Sequence, residues 1–147
     1  MPLPTSIDVE DLEQVLRTWA TEISNADYSD AILSISPVVF GDFDDHFQNA
    51  QGPDGAWPPR KRAYSHPILR KTGDLHRAAT QEGAPGNIKR FSEGWGEFGA
   101  DGSIVNYAGV HEYGTELLPP RPWAWLSSDA EDEAAEQLAN RLYAMFD

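Results

Sequence analysis

The chain has 147 residues, enough to bury a hydrophobic core in one domain, and no cysteine, which excludes disulfides, thiolate ligands and a cysteine nucleophile. Its formal net charge of −13 argues against non-specific attraction to nucleic acid or to an anionic membrane surface. No apolar run approaches the roughly 18 residues of a membrane span, and the N-terminal segment lacks the basic region of a signal peptide. We therefore expect one soluble domain over residues 1–147, made in the cytoplasm and without membrane association.

The charges are segregated along the sequence. Residues 1–59 carry eleven acids and one base, residues 60–90 carry eight bases and two acids, and residues 91–147 carry eleven acids and two bases. Either the acidic segments fold over the basic segment within one monomer, or the basic segment meets complementary surfaces on other protein molecules. The sequence leaves both interpretations open.

The first predicted element is an amphipathic helix that ends near Asn25. Asp8 is a suitable N-cap residue at its start. Apolar residues then recur at the i, i+3, i+4, i+7 spacing of one buried helix face. These residues are Leu12, Val15, Leu16, Trp19, Ala20 and Ile23.

A second helical region starts near Tyr28 and is interrupted at Pro37, which lacks a backbone donor. Ser36 as the cap and Pro37 at the first helical position predict a restart. The new helix would carry Val39, Phe43 and Phe47 on one face.

Residues 52–73 are rich in proline, glycine and basic residues and show no helical or strand periodicity. We interpret them as a long basic loop, because loops of more than about 12–15 residues in compact domains are usually functional or disordered. The loop buries too little apolar surface to offset its ordering entropy, so we expect it to be mobile in the free monomer and ordered by neighbouring subunits. Trp57 is interpreted as a core anchor of this loop, which is compatible with a role of the loop in a contact surface.

The segment from residue 75 to residue 126 is predicted to supply a small antiparallel sheet. Frequent glycines over residues 75–105 and apolar alternation at residues 88–91 and 95–98 favour short strands joined by turns. A short helix is predicted over residues 106–113, capped by Asn106, and a further strand over residues 123–126.

A capping box formed by Ser128 and Glu131 predicts a C-terminal helix that runs to Phe146. The predicted fold class is α+β, with the N- and C-terminal helices packed on a sheet of three to five antiparallel strands. The helices are expected to pack through Leu12, Leu16, Trp19, Leu138 and Leu142.

Two short segments match catalytic motifs in residue identity but lack the sequence context that those motifs require. Residues 94–99 match a dinucleotide fingerprint, but Gly102 follows closely and leaves no room for the required helix, so a glycine-bent hairpin is expected. His111 and Glu112 match the first two residues of the H-E-x-x-H motif of zinc proteases, but Thr115 occupies the position of the second histidine ligand. A metal-dependent hydrolase using His111 is the alternative from a different functional class.

The remaining titratable residues are expected to be structural. His46, His66 and His76 lie at no ligand spacing to one another, and the acids at residues 42, 44 and 45 are interpreted as a solvated face. We therefore predict no catalytic residue, metal or cofactor.

The basic loop is the one candidate for contact with phosphates. Basic residues interleaved with aromatic residues such as Tyr64 can bind single-stranded nucleic acid. The basic residues are Arg60, Lys61, Arg62, Arg70 and Lys71, followed beyond the loop by Lys89 and Arg90. The overall charge opposes that approach, so contact with a protein is the favoured interpretation.

Four sequence blocks occur in a defined order: Gly52 to Pro59 around Trp57, Leu69 to Leu75, Tyr107 to Gly114, and Pro119 to Trp123. In this order they resemble the virion-morphogenesis, or tail-completion, proteins of long-tailed bacteriophages. The resemblance covers residues 52–123, about half of the sequence.

The resemblance implies a small α+β structural protein, without known chemistry or cofactor, that forms a homohexameric ring at the head–tail junction of the virion. Its implied partners are the head connector or stopper protein and the tail tube or tail terminator protein. Genomic DNA would pass through the ring without specific binding. From the charge distribution of this sequence we expect the acidic terminal segments to contribute to the surface that faces this channel. A head-completion stopper or a tail terminator of the same neck is the alternative role.

The expected assembly interface combines the basic loop with the matched positions. Arg60, Lys61 and Arg62 are expected to be exposed and to contribute little to monomer stability. The full set is Trp57, Arg60, Lys61, Arg62, Tyr64, Leu69, Arg70, Lys71, Thr72, Gly73, Leu75, Arg121 and Trp123.

Overall fold

A computed structural model describes residues 9–146, and these residues form six helices and four strands. The helices are α1 (Val9–Asn25), α2 (Ser29–Ser34), α3 (Ser36–Asn49), α4 (Asp74–Thr80), α5 (Ala108–Tyr113) and α6 (Ser128–Phe146). The strands are β1 (Gln51–Gly52), β2 (Gly55–Ala56), β3 (Asn87–Ser92) and β4 (Trp95–Ala100). The α+β class is confirmed. None of the described helices is both long and apolar enough to cross a membrane, and the predicted cap Asp8 lies outside the described residues.

The strands form two separate antiparallel hairpins. Strands β1 and β2 flank a tight turn at the start of the basic loop, while β3 and β4 pair from Asn87 opposite Ala100 to Ser92 opposite Trp95. The predicted hairpin over the glycine-rich residues 94–99 is therefore confirmed. The expectation of three to five strands from residues 75–126 is wrong, since the described part of that segment contains β3 and β4 alone.

Helix α4 replaces a predicted strand directly after the basic loop. Gly73 adopts a left-handed conformation (φ 80°) immediately before the helix, a region that glycine enters without steric penalty. Leu75, Ala78 and Ala79 then form a fully buried face at i, i+3, i+4 spacing. Two of these three residues are small alanines, so the helical period is a weak hydrophobic signal in the sequence.

The break between α2 and α3 occurs where it was predicted. Pro37 occupies the first turn of α3, and Ile35 rather than Ser36 is the N-cap residue. The hydroxyl of Ser36 instead donates a hydrogen bond to the carbonyl of Leu33 at 2.8 Å.

The core is built on the inner face of α3. Three phenylalanines of this helix each pack edge-to-face against an aromatic residue from a different part of the sequence, a favourable ring geometry. The pairs are Phe40 with Phe98 (5.7 Å between ring centroids), Phe43 with Trp123 (5.8 Å) and Phe47 with Trp57 (5.7 Å). Helix α3 therefore holds the hairpin β3–β4, the segment after α5 and the start of the basic loop.

Helix α6 packs against α2 and α3 through the buried Ala130 and Ala134. Its N-cap residue is Ser127, one position before the predicted Ser128, and its Oγ accepts a hydrogen bond from the Ala130 amide at 3.2 Å. Asp42 accepts from the Ser127 amide at 2.8 Å and from the Ser127 hydroxyl at 2.7 Å. Since Asp42 is buried and bonded in this way, its assignment to a solvated face is wrong.

The apolar face of α1 remains largely exposed. Leu12, Leu16 and Ile23 keep 42 %, 51 % and 45 % of their surface accessible, and Trp19 is half-buried. The expected packing of α1 through Leu12 and Leu16 is therefore wrong within one monomer. Residues 123–126 also form no strand, since the backbone amides of Trp123 and Ala124 donate to the Glu112 carboxylate and not to a neighbouring strand.

Candidate assembly site at the basic loop

The basic loop, residues 52–73, is anchored in the core at its entrance. Trp57 is 4 % exposed, and its indole Nε1 donates a hydrogen bond to the carbonyl of Pro122 at 2.7 Å. The Trp57 backbone amide also donates to the carbonyl of Ala50 at 2.7 Å. The interpretation of Trp57 as a core anchor of the loop is confirmed.

Arg121 ties the entrance of the loop to the segment after α5. Its guanidinium donates through Nε to the carbonyl of Pro58 at 2.9 Å and through a terminal nitrogen to the carbonyl of Pro59 at 3.2 Å. Its backbone amide donates to the carbonyl of His111 at 2.7 Å. Arg121 is 7 % exposed. Burial, and then the nearby charge of Arg60, lower the pKa of Arg121.

Arg60 folds the loop back on itself. Its guanidinium donates to the carbonyl of His66 at 2.7 Å and lies over the ring of Tyr64, 5.3 Å from the centroid. Arg60 is therefore partly buried, and the expectation that it is exposed like its neighbours is wrong. Lys61 and Arg62 are exposed, as predicted.

The exit of the loop is a turn that leads into α4. Leu69 adopts φ 62°, a left-handed conformation that is uncommon for a residue with a side chain. The hydroxyls of Thr72 and Tyr107 lie 3.4 Å apart and connect this turn to the residue before α5. Hydrogen bonds thus connect the first sequence block (residues 52–59) to the fourth (residues 119–123). The contact between Thr72 and Tyr107 connects the second block (residues 69–75) to the third (residues 107–114).

A pocket of about 370 Å³ lies between the loop and α5. Its lining includes the cationic side chains of Arg60, Lys71 and Arg121 and the imidazoles of His66 and His111. Apolar and hydroxyl-bearing side chains complete the wall: Tyr64, Ile68, Leu69, Thr72 and Tyr107. No carboxylate lines this pocket among the described residues, so it is positive in an otherwise acidic protein.

His111 and Glu112 have structural partners. Burial, and then the charge of Arg121, lower the pKa of His111 and favour its neutral form. The Glu112 carboxylate accepts hydrogen bonds from the amides of Trp123 at 2.8 Å and Ala124 at 3.1 Å. Across residues 9–146, no group of three or more histidine, cysteine or acidic side chains is arranged to hold a metal ion.

The remaining histidines on helices also have structural partners, as the sequence predicted. The ring of His46 stacks on Trp125 at 3.8 Å, and its Nε2 lies 2.9 Å from the Trp125 carbonyl and 3.1 Å from an Asp42 oxygen. His76 pairs with Asp44 at 2.5 Å.

The thirteen residues of the expected interface differ in accessibility. Four are buried and position the loop: Trp57, Leu75, Arg121 and Trp123. Four are partly buried: Arg60, Leu69, Arg70 and Gly73. Five are exposed and accessible to a partner: Lys61, Arg62, Tyr64, Lys71 and Thr72.

Sequence reasoning missed the contribution of His66 and Ile68 to the pocket and of the Pro58 and Pro59 carbonyls to the binding of Arg121. The proline pair was a usable signal, because proline carbonyls in a non-repetitive segment need donors from elsewhere in the protein. No sequence pattern indicated which donor would supply them.

No protein-family model matches the sequence, and neither a curated protein nor a solved structure matches it significantly. The family resemblance therefore depends on the four sequence blocks.

Proposed function

We propose that this protein is a structural component of the bacteriophage neck that completes the tail and joins it to the head connector. In this role it forms a homohexameric ring at the head–tail junction of the virion, after assembly in the host cytoplasm. The ring contacts the head connector or stopper protein on one side and the tail tube or terminator protein on the other. It acts as an assembly component and not as an enzyme.

The observation that carries the proposal is the convergence of the sequence blocks in space. The Trp57 indole donates a hydrogen bond to the Pro122 carbonyl, and Arg121 donates to the carbonyls of Pro58 and Pro59. The hydroxyls of Thr72 and Tyr107 lie within hydrogen-bond distance of each other. These contacts span 35 to 65 positions of sequence. Residues shared with the family pattern therefore build one structural unit, which supports reading the four blocks together as a single signature.

The distribution of charge supports an assembly role for the basic loop. Lys61, Arg62 and Lys71 are exposed and form no ion pair with any described acidic residue. The alternative that acidic helices neutralise the loop within one monomer has no support in these contacts. Exposed charges of one sign favour association with a complementary acidic surface and speed the encounter.

The acidic segments fit a channel through which DNA passes without sticking. Exposed acids on α1 and α6 would repel phosphates if these helices face the lumen of the ring. A lumen lined by lysine and arginine would contradict this part of the proposal.

The test is complementation of a phage in which the gene is interrupted by an amber codon. The variant Lys61→Glu/Arg62→Glu reverses two exposed bases of the loop and spares Arg60, which holds the loop together. We expect soluble protein with unchanged melting, together with filled heads and free tails that remain separate. Like charges at an assembly contact weaken it by several kcal/mol.

The control is Arg90→Glu/Arg141→Glu, which makes the same charge change on the exposed faces of β3 and α6. It also removes the exposed ion pair between Arg90 and Glu97, a kind of pair that contributes little to stability. We expect infectious particles at normal yield from this control. Normal yield from the loop variant would remove the basic loop from the mechanism. Without complementation, emptied heads would indicate a stopper role, and overlong tails would indicate a tail terminator.

A further inference from the structure

The pocket beside the basic loop collects positive charge without a counter-ion. Arg60, Lys71 and Arg121 line a volume of about 370 Å³ together with the imidazoles of His66 and His111. Within residues 9–146, no carboxylate lies within ion-pair distance of any of these three cations.

Other parts of the molecule contain ion pairs. Four other cations each pair with an acid: Arg17 with Glu13, Arg77 with Asp74, Lys89 with Glu82 and Arg90 with Glu97. The protein has 24 acidic residues and 11 basic ones, so acids are available in excess. The pocket, which is lined by three cations and by no carboxylate of the described residues, is therefore a site of concentrated positive charge in an acidic protein.

Two of the three cations, Arg121 and Arg60, are held in place by neutral groups. Arg121 is 7 % exposed and bonds two backbone carbonyls, while Arg60 bonds the carbonyl of His66. A buried cation beside a like charge is stabilised by an anion that enters between them. Burial and the charge of Arg60 lower the pKa of Arg121, which means that both disfavour its charged form. An anion bound beside Arg121 would favour that form.

We propose that this pocket binds a carboxylate carried on a peptide segment of a partner protein. The carboxylate oxygens accept charge-assisted hydrogen bonds from the guanidinium and ammonium groups that line the pocket, the arrangement in which such bonds are strongest. The hydroxyls of Thr72 and Tyr107, which lie 3.4 Å apart on the same wall, are further donors. The source of the carboxylate is an acidic side chain or the C-terminus of the partner protein.

The walls of the pocket favour a peptide over a polyphosphate. Ile68 and Leu69 supply apolar surface beside the cations, which suits the stem of a side chain or the last residue of a polypeptide. A formal net charge of −13 repels a long polyanion much more strongly than it repels one carboxylate. The binding of a carboxylate does not depend on the neck function, so either proposal can fail while the other stands.

The experiment is isothermal titration of the full-length protein with three acetylated hexapeptides of glycine and serine around one leucine. The first peptide contains glutamate and has an amidated C-terminus. The second has glutamine in place of the glutamate and is also amidated. The third is the glutamine peptide with a free C-terminal carboxylate. We expect the glutamine amide peptide not to bind. Binding of the first or the third peptide identifies the side chain or the terminus as the source.

Matched variants localise the site. Lys71→Met removes an exposed cation that lines the pocket, and its control Lys61→Met removes an exposed lysine of the same loop that does not. Arg60→Met and its control Arg62→Met form a second pair. We expect the two pocket variants to weaken binding at least about tenfold and the two controls to change it less than about twofold.

Three outcomes would overturn the proposal. The first is that neither carboxylate peptide binds at millimolar concentration. The second is that the control variants weaken binding as much as the pocket variants do. In the third, a single-stranded oligonucleotide binds more tightly than the peptides and loses affinity in Lys71→Met, which would assign the pocket to phosphate.

Discussion

Helices α1 and α3 carry apolar residues at the same helical spacing, but they have different environments in the monomer. On α3, Phe43 and Phe47 are 5 % and 2 % exposed and pack against aromatic residues from distant segments. On α1, Leu12 and Leu16 remain 42 % and 51 % exposed. Periodicity thus predicts that a helix has an apolar face, while the partner of that face is set by the rest of the fold. We infer that α3 stabilises the monomer and that the apolar face of α1 contributes little to its stability.

Among the proposed variants, the largest loss of stability is expected from a substitution in the buried face of α3. Phe47→Ala removes a ring that contacts Trp57 and Trp123, and the surrounding core cannot collapse fully into the space. We expect the free energy of unfolding to fall by about 3–5 kcal/mol, measured by urea denaturation with tryptophan fluorescence. A loss below about 1 kcal/mol would show that α3 does not organise the core.

A smaller effect is expected where α3 holds the start of α6. Asp42→Ala removes the acceptor of the Ser127 amide and leaves a partly buried donor unpaired. We expect a loss of about 1–3 kcal/mol in the free energy of unfolding by the same measurement. Asp45→Ala, on the exposed face of the same helix, is the control and should change stability by less than about 0.5 kcal/mol. Equal effects of the two variants would contradict the role given to Asp42.

The contact between core and basic loop can be tested with Arg121→Lys. This variant keeps the positive charge but loses the planar fork that bonds Pro58 and Pro59. We expect a loss of about 1 kcal/mol and faster hydrogen exchange over residues 56–66, measured by mass spectrometry. The control Arg62→Lys should leave exchange unchanged. Slow exchange throughout residues 52–73 in a demonstrated wild-type monomer would contradict the predicted mobility of the loop.

The smallest effect is expected on α1. Leu16→Ala removes a side chain that is half exposed and replaces it with a residue of high helix propensity. We expect the free energy of unfolding of the dilute protein to change by less than about 0.5 kcal/mol, in contrast to Phe47→Ala. If Leu16→Ala destabilised the monomer by about 2 kcal/mol or more, the comparison between the two helices would fail.

The elements with strong local signals could be predicted from the sequence. Pro37 determined the break between α2 and α3, and glycines with alternating apolar residues predicted the hairpin β3–β4. Helix α4 was missed because Ala78 and Ala79 contribute little hydrophobic signal, although both are fully buried. Local propensity is weak at such positions, and tertiary packing decides the structure.

Some residues of the candidate site could be predicted from the sequence, but their arrangement could not. The bases and motif residues of the loop could be read from the sequence, whereas the burial of Arg121 and the role of Arg60 depend on contacts with Pro58, Pro59 and His66. Backbone carbonyls carry no side-chain signature, so their use as acceptors is not visible in a sequence. For the same reason, the pocket between the loop and α5 could not have been predicted.

Cryo-electron microscopy of purified virions is the decisive test of the proposal that this protein forms a ring at the phage neck. We expect six copies around the DNA channel at the head–tail junction, with α1 and the basic loop of each copy covered by neighbouring subunits. The acidic residues of the terminal helices should contribute to the channel wall. Virions whose neck contains no density for this fold, although the gene is intact and expressed, would contradict the account.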